Sequence, residues 1–160
     1  MKPVHPSVTR MWRDYLVSIN EDPASTKLMF TAWHFCDNRK DADELADLVL
    51  KGDKRATAGA YSEYLRENEA LPEAGGLSVV TDFKGRARCI IKTVSAAVLP
   101  FNEVPASFAE REGEGDKSLD WWRDAHRRCF TRELAAAGSQ FSEEIPVVCE
   151  EFDMVYPLPI

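Results

Sequence analysis

The sequence has little glycine or proline: 8 and 9 of 160 residues, too few for a low-complexity or disordered chain. Its four cysteines, Cys36, Cys89, Cys129 and Cys149, include no pair at Cys-x-x-Cys spacing, and each sits among apolar neighbours. That excludes a zinc knuckle or redox couple and predicts buried free thiols in a reducing compartment. No apolar run approaches the roughly 20 residues that a bilayer span needs. The stretch from Met1 to Arg10 offers Lys2 but no hydrophobic segment after it, so a cytoplasmic protein without membrane contact is expected. The common dinucleotide, P-loop, zinc-protease and serine-hydrolase signatures are missing as well. No cofactor and no metal is expected.

What is present suits one globular domain. The chain is 44% hydrophobic and 10% aromatic, enough for a packed core at this length. Twenty basic residues against 27 acidic ones give a net charge of −7, which repels a polyphosphate unless the basic groups are gathered on one face.

Periodicity predicts the elements. Val8, Met11, Trp12, Tyr15, Leu16 and Ile19 recur at helical spacing after Ser7, a good N-cap. An aromatic run from Lys27 to Phe35 reads as a strand. Asp41 followed by Glu44 opens a helix that runs to Leu50 and stops at Gly52. A short helix is expected over Ala60 to Glu69, then a hairpin of Leu77–Thr81 with Arg86–Val94. A short helix over Ser107 to Arg111 precedes a glycine-punctuated acidic loop, and Ser118 opens a long helix that Gly138 ends. Pro146 to Tyr156 closes the chain as a strand. Without regular βαβ alternation, the fold class is α+β with a mostly antiparallel, curved sheet.

Three segments could carry chemistry. In Gly52-Asp53-Lys54-Arg55-Ala56-Thr57, a lysine amine beside a threonine hydroxyl could take its proton or stabilise an oxyanion. Strict strand alternation puts Lys54 and Thr57 on opposite faces, so a turn or bulge is needed to join them. The structural alternative makes Lys54 a solvated cation at a helix end and Thr57 a plain strand former. The acids of Ala109-Glu110-Arg111-Glu112-Gly113-Glu114-Gly115-Asp116 do not follow the calcium-loop spacing, and a solvated acidic loop is their alternative. From Trp121 to Arg132 the long helix carries four arginines and His126, either a local anion-binding face or a solvated one with a hydrogen-bonded core-edge histidine.

Taken together, Gly52-x-Lys54-x-x-Thr57, Leu71-Pro72 to Gly75-Gly76, Phe101-x-x-Val104 to Asp116, Ser118-Leu119-x-x-Trp122-Arg123-x-x-His126 and Glu151-Phe152 resemble the ASCH (activating signal cointegrator homology) domain over about residues 28 to 156. The resemblance implies a PUA-like fold: a small curved β-barrel with packed helices, here spanning residues 28–160 as one unit behind an added N-terminal helical extension, 1–27. It also implies a cleft for RNA or a nucleobase. Family members include RNA-associated modules, a small ribonuclease and an amidohydrolase that deacetylates N4-acetylcytidine. By resemblance to the amidohydrolase, Lys54, Thr57 and Glu112 are the catalytic residues, with Glu110 and Glu114 also in contention.

The reading preferred on this basis is a small hydrolase acting on a modified nucleoside. Thr57 attacks the acyl carbon, Lys54 receives the proton, and Glu112 orients the lysine or passes protons to the leaving amine. Arg55, Trp33, Tyr61, Tyr64, Arg123 and His126 are the expected substrate-binding residues. A neutral nucleoside meets no phosphate repulsion from this acidic chain. The alternatives are a ribonuclease acting on single-stranded RNA through Lys54 and the arginine-rich helix, and a non-catalytic RNA-binding module that stacks bases on aromatic side chains.

Overall fold

A computed structural model of the chain describes residues 3–158, and its element order is helix and strand mixed, as an α+β sequence demands. The first helix, α1 (Pro6–Ser18), buries Val8, Trp12, Tyr15 and Leu16 along one stripe. Its cap differs from the expected Ser7: the His5 side chain accepts from Ser7 N, and Pro6 takes the first helical position, where a missing N–H costs nothing. Ser7 Oγ accepts instead from Ala87 N at 2.9 Å. The aromatic run is strand only over β1 (Thr31–Trp33); beyond it Cys36 turns the chain in a left-handed conformation, φ 55°, and lies exposed rather than buried, as Cys89 and Cys149 are.

Helix α2 (Arg39–Lys51) starts earlier than its apolar pattern, since Asn38 supplies the cap to Asp41 N at 2.9 Å. Gly52 ends it at φ 83°. After it come β2 (Ala56–Ala60), α3 (Tyr61–Arg66), β3 (Leu77–Thr81) and β4 (Ala87–Pro100). Strand β4 continues well past the expected end at Val94, after its pairing with β3 has stopped at Lys92. A 3₁₀ turn (Phe101–Glu103), α4 (Ala106–Glu112), α5 (Leu119–Ala136) and β5 (Pro146–Tyr156) complete the order. Glu112 therefore closes a helix rather than lying in the acidic loop.

The five strands hydrogen-bond in the order β1-β3-β4-β5-β2. Among the described residues β1 runs parallel to β3, whereas β3 with β4 and β2 with β5 are antiparallel, so the expected mostly antiparallel α+β class is found. Among the described residues, two units form. The first holds 3–52, 74–94 and 152–158. There β3 and the paired part of β4 are buried on both faces: Leu77 and Val79 of β3 with Ile90 of β4 pack with α1, and Val80 of β3 with Cys89 and Ile91 of β4 pack with Ala46 and Val49 of α2.

The second unit holds 53–73 and 95–151. Its core joins Ala56, Ala60, Val147 and Cys149 of β2 and β5 to Phe101, Val104, Phe108, Ala109, Trp122 and Phe130. The register pairs Ala58 with Cys149 and Thr57 with Glu150. Strand alternation thus turns Ala56, Ala58, Ala60, Val147 and Cys149 to this core, and Thr57, Gly59, Val148 and Glu150 to the other face. Among the described residues no helix is long and apolar enough to cross a membrane.

Candidate functional site

Helical spacing sends charged groups into the second unit's interior. On α4, Phe108 and Ala109 face the core, and Glu112, four and three residues on, falls on the same side. On α5, Trp122, His126 and Phe130 form one stripe; the His126 ring stacks on Trp122 at 4.2 Å and meets Phe130 edge-on at 5.6 Å. A third arm comes from the strand side. Arg55 N donates to Arg111 O at 2.8 Å, docking the entry to β2 on the last turn of α4. Gly113 permits this approach: its φ is +71°, and a Cβ there would lie 2.0 Å from Asp53 O.

These three arms bring Lys54, Glu112, Glu114 and His126 together. Lys54 Nζ lies 3.0 Å from Glu114 Oε2 and 3.5 Å from Glu112 Oε2. His126 Nε2 lies 3.4 Å from Glu112 Oε2, while Nδ1 donates to Trp122 O at 2.9 Å. Lys54 and Glu112 are each 1% exposed at the side chain, against 12% for His126 and 18% for Glu114. Solvent therefore meets Glu114 and His126 first. Glu112 Oε1 and Trp122 Nε1 are both buried without a hydrogen-bond partner.

Burial and charge compete at every member of this tetrad. Burial alone drives Lys54 toward the neutral amine, but Glu112 and Glu114 outweigh it and hold the ammonium, with the pKa raised. Burial pushes Glu112 up, and Lys54 with His126 overcomes it, holding this carboxyl well below the usual carboxylate range. At Glu114 burial wins; with Glu112 beside it, the carboxyl is pushed up to about 7 despite Lys54. Burial lowers His126, but Glu112 more than compensates and raises it. Glu112 is thus opposed by both Lys54 and His126, the compensation that burying an ion requires, while Glu114 gains its charge only as pH passes about 7. Glu112, Glu114 and His126 offer metal-ligand atoms within 4.8 Å of one another, yet any divalent ion would compete with the Lys54 ammonium for the same carboxylates.

The other expected residues are distributed more widely. Thr57 is half-buried on β2, where it pairs across the ladder with Glu150. Glu110 is exposed and outside the tetrad. Tyr61 and Tyr64 are half-buried on α3. Tyr64 lies over Gly59, where an added Cβ would sit 3.1 Å from the ring, and burial together with Glu150 and Glu69 pushes its hydroxyl up to about 12. Arg55 is exposed. Arg123 is half-buried on α5, whose neighbouring arginines are already matched: Arg127 bonds Glu143 at 2.8 Å and Arg128 bonds Asp124 at 2.6 Å. Trp33 belongs to the first unit, edge-on to Phe35 at 5.0 Å, and is not part of this cluster. Two groups escaped the sequence: the Trp122 indole N–H, which reads as plain core, and Glu150, whose burial is visible only once the β2–β5 register is known.

Comparison with known proteins gives a consistent picture. The family model of the ASCH domain matches residues 31–156. The crystal structure of an ASCH domain from Lactobacillus crispatus JV V101 is 38% identical, covers 98% of each chain and superposes with a TM-score of 0.88. Protein EF3133 from Enterococcus faecalis V583 is 32% identical, with a TM-score of 0.82 over 94% of this chain and 90% of that one. Hypothetical protein PH0355, 17% identical, shares the fold at a TM-score of 0.50 over 78% of this chain and 96% of its own. No curated protein matches the chain.

Proposed function

The chain belongs to the ASCH domain family and has its α+β, PUA-like fold, and from that premise we propose that it is a small hydrolase that removes the acyl group from an N4-acylated cytidine. The observation that carries the reading is the Lys54 ammonium, buried and held between Glu112 and Glu114, three residues before the half-buried Thr57. Amide hydrolysis needs a nucleophile and a fixed positive charge for the oxyanion. Thr57 is the first and Lys54 the second; Thr57 leaves the face of β2 opposite the core that holds the tetrad, so on this reading the irregular 53–55 segment ahead of the strand makes the turn that joins the two groups. Glu112, pinned by Lys54 and His126, keeps the ammonium charged and in place, so Lys54 acts by its charge and not by taking the Thr57 proton. Tyr61 and Tyr64, on the helix that follows β2, offer flat faces for a pyrimidine.

A neutral nucleoside also suits a chain of charge −7 better than a polyphosphate does. The ribonuclease reading needs free cations near the scissile phosphate, and Arg127 and Arg128 are already paired with acids. The test is release of cytidine from N4-acetylcytidine by purified protein. Lys54→Ala and Thr57→Val, each checked for folding by its melting curve, are expected to lose about 10²-fold or more in kcat. Turnover equal to wild type in both variants would overturn the reading.

A further inference from the structure

The tetrad leaves one task unassigned. A threonine hydroxyl attacks an acyl carbon only if something accepts its proton, and Lys54, protonated between two carboxylates, has no free lone pair to do so. The β2–β5 register supplies a different group. Thr57 and Glu150 are direct partners across the antiparallel ladder, so their side chains leave the same face with Cβ atoms about 4.5–5.5 Å apart. Tyr64 marks that face independently: its ring covers Gly59, two residues after Thr57, and its hydroxyl feels the Glu150 charge. Glu150 is 5% exposed, unusual for a glutamate in a strand whose other face already supplies the core.

We propose that Glu150 is the general base for Thr57, the group that takes the hydroxyl proton as the acyl carbon is attacked. The inference rests on the hydrolase reading in taking Thr57 as the nucleophile. The Thr57 Oγ–C(acyl) bond forms as its proton passes to the Glu150 carboxylate. The C–N bond then breaks, and the same proton goes to the departing N4 amine. Water attacks the resulting ester and gives a proton to Glu150, and that proton returns to Thr57 Oγ as the carboxylic acid leaves. One amide and one water are consumed; one acid and one amine appear.

The experiment uses full-length protein and two probes. With N4-acetylcytidine, Glu150→Gln, close in shape and free of the negative charge, is expected to lower kcat about 10²- to 10⁴-fold, and Glu150→Gln/Thr57→Val to be no slower than Thr57→Val alone. With p-nitrophenyl acetate, intact-mass and peptide mapping is expected to find acetyl on Thr57 in wild type and at least tenfold less in Glu150→Gln. A Glu150→Gln protein that melts like wild type and is acetylated at Thr57 equally fast overturns the proposal, as does wild type unlabelled at Thr57. If N4-acetylcytidine is untouched but Thr57 still labels in a Glu150-dependent manner, the nucleoside reading fails and the Thr57–Glu150 pair stands.

Discussion

His126 Nε2 lies 3.4 Å from Glu112 Oε2, so an imidazole and a carboxylate that are both withdrawn from water each hold the other's charge. The pairing fixes how stability follows pH. Glu112, lowered, contributes stability above the unfolded glutamate value of about 4.3, and loses it as pH falls below that. His126, raised, contributes fully below about 6.5 and loses its contribution as pH climbs through its higher folded value. Glu114, pushed up to about 7, binds more protons folded than unfolded, so it removes stability as pH rises from about 4.3 to that value. The expected Tm is highest near about pH 5 and declines toward about pH 8. Glu114→Gln should flatten the lower part of that decline and leave the His126 part. A melting temperature that climbs steadily across the range contradicts this assignment.

Lys54 neutralises two buried acids at once, which makes it the most expensive charge to delete. Lys54→Met leaves the methylenes in place but strands Glu112 and Glu114 without their shared cation. Breaking a buried pair in this way costs about 3–5 kcal/mol. Urea denaturation should register that loss, and Lys54→Met/Glu114→Gln should recover part of it, because only one uncompensated anion then remains beside His126. A Lys54→Met unfolding free energy within about 1 kcal/mol of wild type would mean that the ion pairs carry no net stability.

Strongly periodic segments were legible in the sequence, and long-range meetings were not. Strand β5 falls on Pro146–Tyr156 as expected, and α5 opens at Ser118, because hydrophobic spacing and a capping hydroxyl report local structure directly. The helix starts at His5 and Asn38 were displaced by capping bonds that no apolar period records. Glu112 came from family resemblance, though its place four after Phe108 on an amphipathic helix also points inward. No spacing rule announces that Lys54 meets Glu114 and that His126 meets Glu112, since those contacts depend on how α4 and α5 dock against the entry to β2. Glu150 was invisible for a related reason: a one-residue change of register would move it to the opposite face.

The arginines of α5 carry a prediction about nucleic acid. Arg127 and Arg128 spend their charge on Glu143 and Asp124. Wild-type protein should therefore bind a short single-stranded RNA weakly, with a shallow salt dependence. Glu143→Gln/Asp124→Asn frees both guanidinium groups, and the slope of log K against log salt should steepen by about 1.4, roughly 0.7 for each phosphate neutralised. Fluorescence anisotropy over a salt series reads it. An unchanged slope would show that this helix face does not touch the backbone of RNA.

Two glycines with nearly the same backbone angle separate conformational strain from steric contact. Gly113 and Gly138 have φ of +71° and +77°, so alanine at either residue meets the same left-handed penalty, about 1 kcal/mol. At Gly138 nothing lies within 4 Å of the added Cβ, and the cost should end there. At Gly113 the Cβ would stand 2.0 Å from Asp53 O, 2.6 Å from Asp53 C and 3.1 Å from Lys54 N. Those are backbone atoms that cannot swing aside as a side chain does, so either α4 or the strand entry must retreat. Gly113→Ala should then cost about 3 kcal/mol or more in urea denaturation, against about 1 for Gly138→Ala. It should also depress turnover in the molecules that remain folded, because the displaced segment is the one that carries Lys54 to Glu112 and Glu114. Equal costs at the two glycines would show that the 53–54 segment is not clamped against α4, and that the tetrad is held by its charges alone.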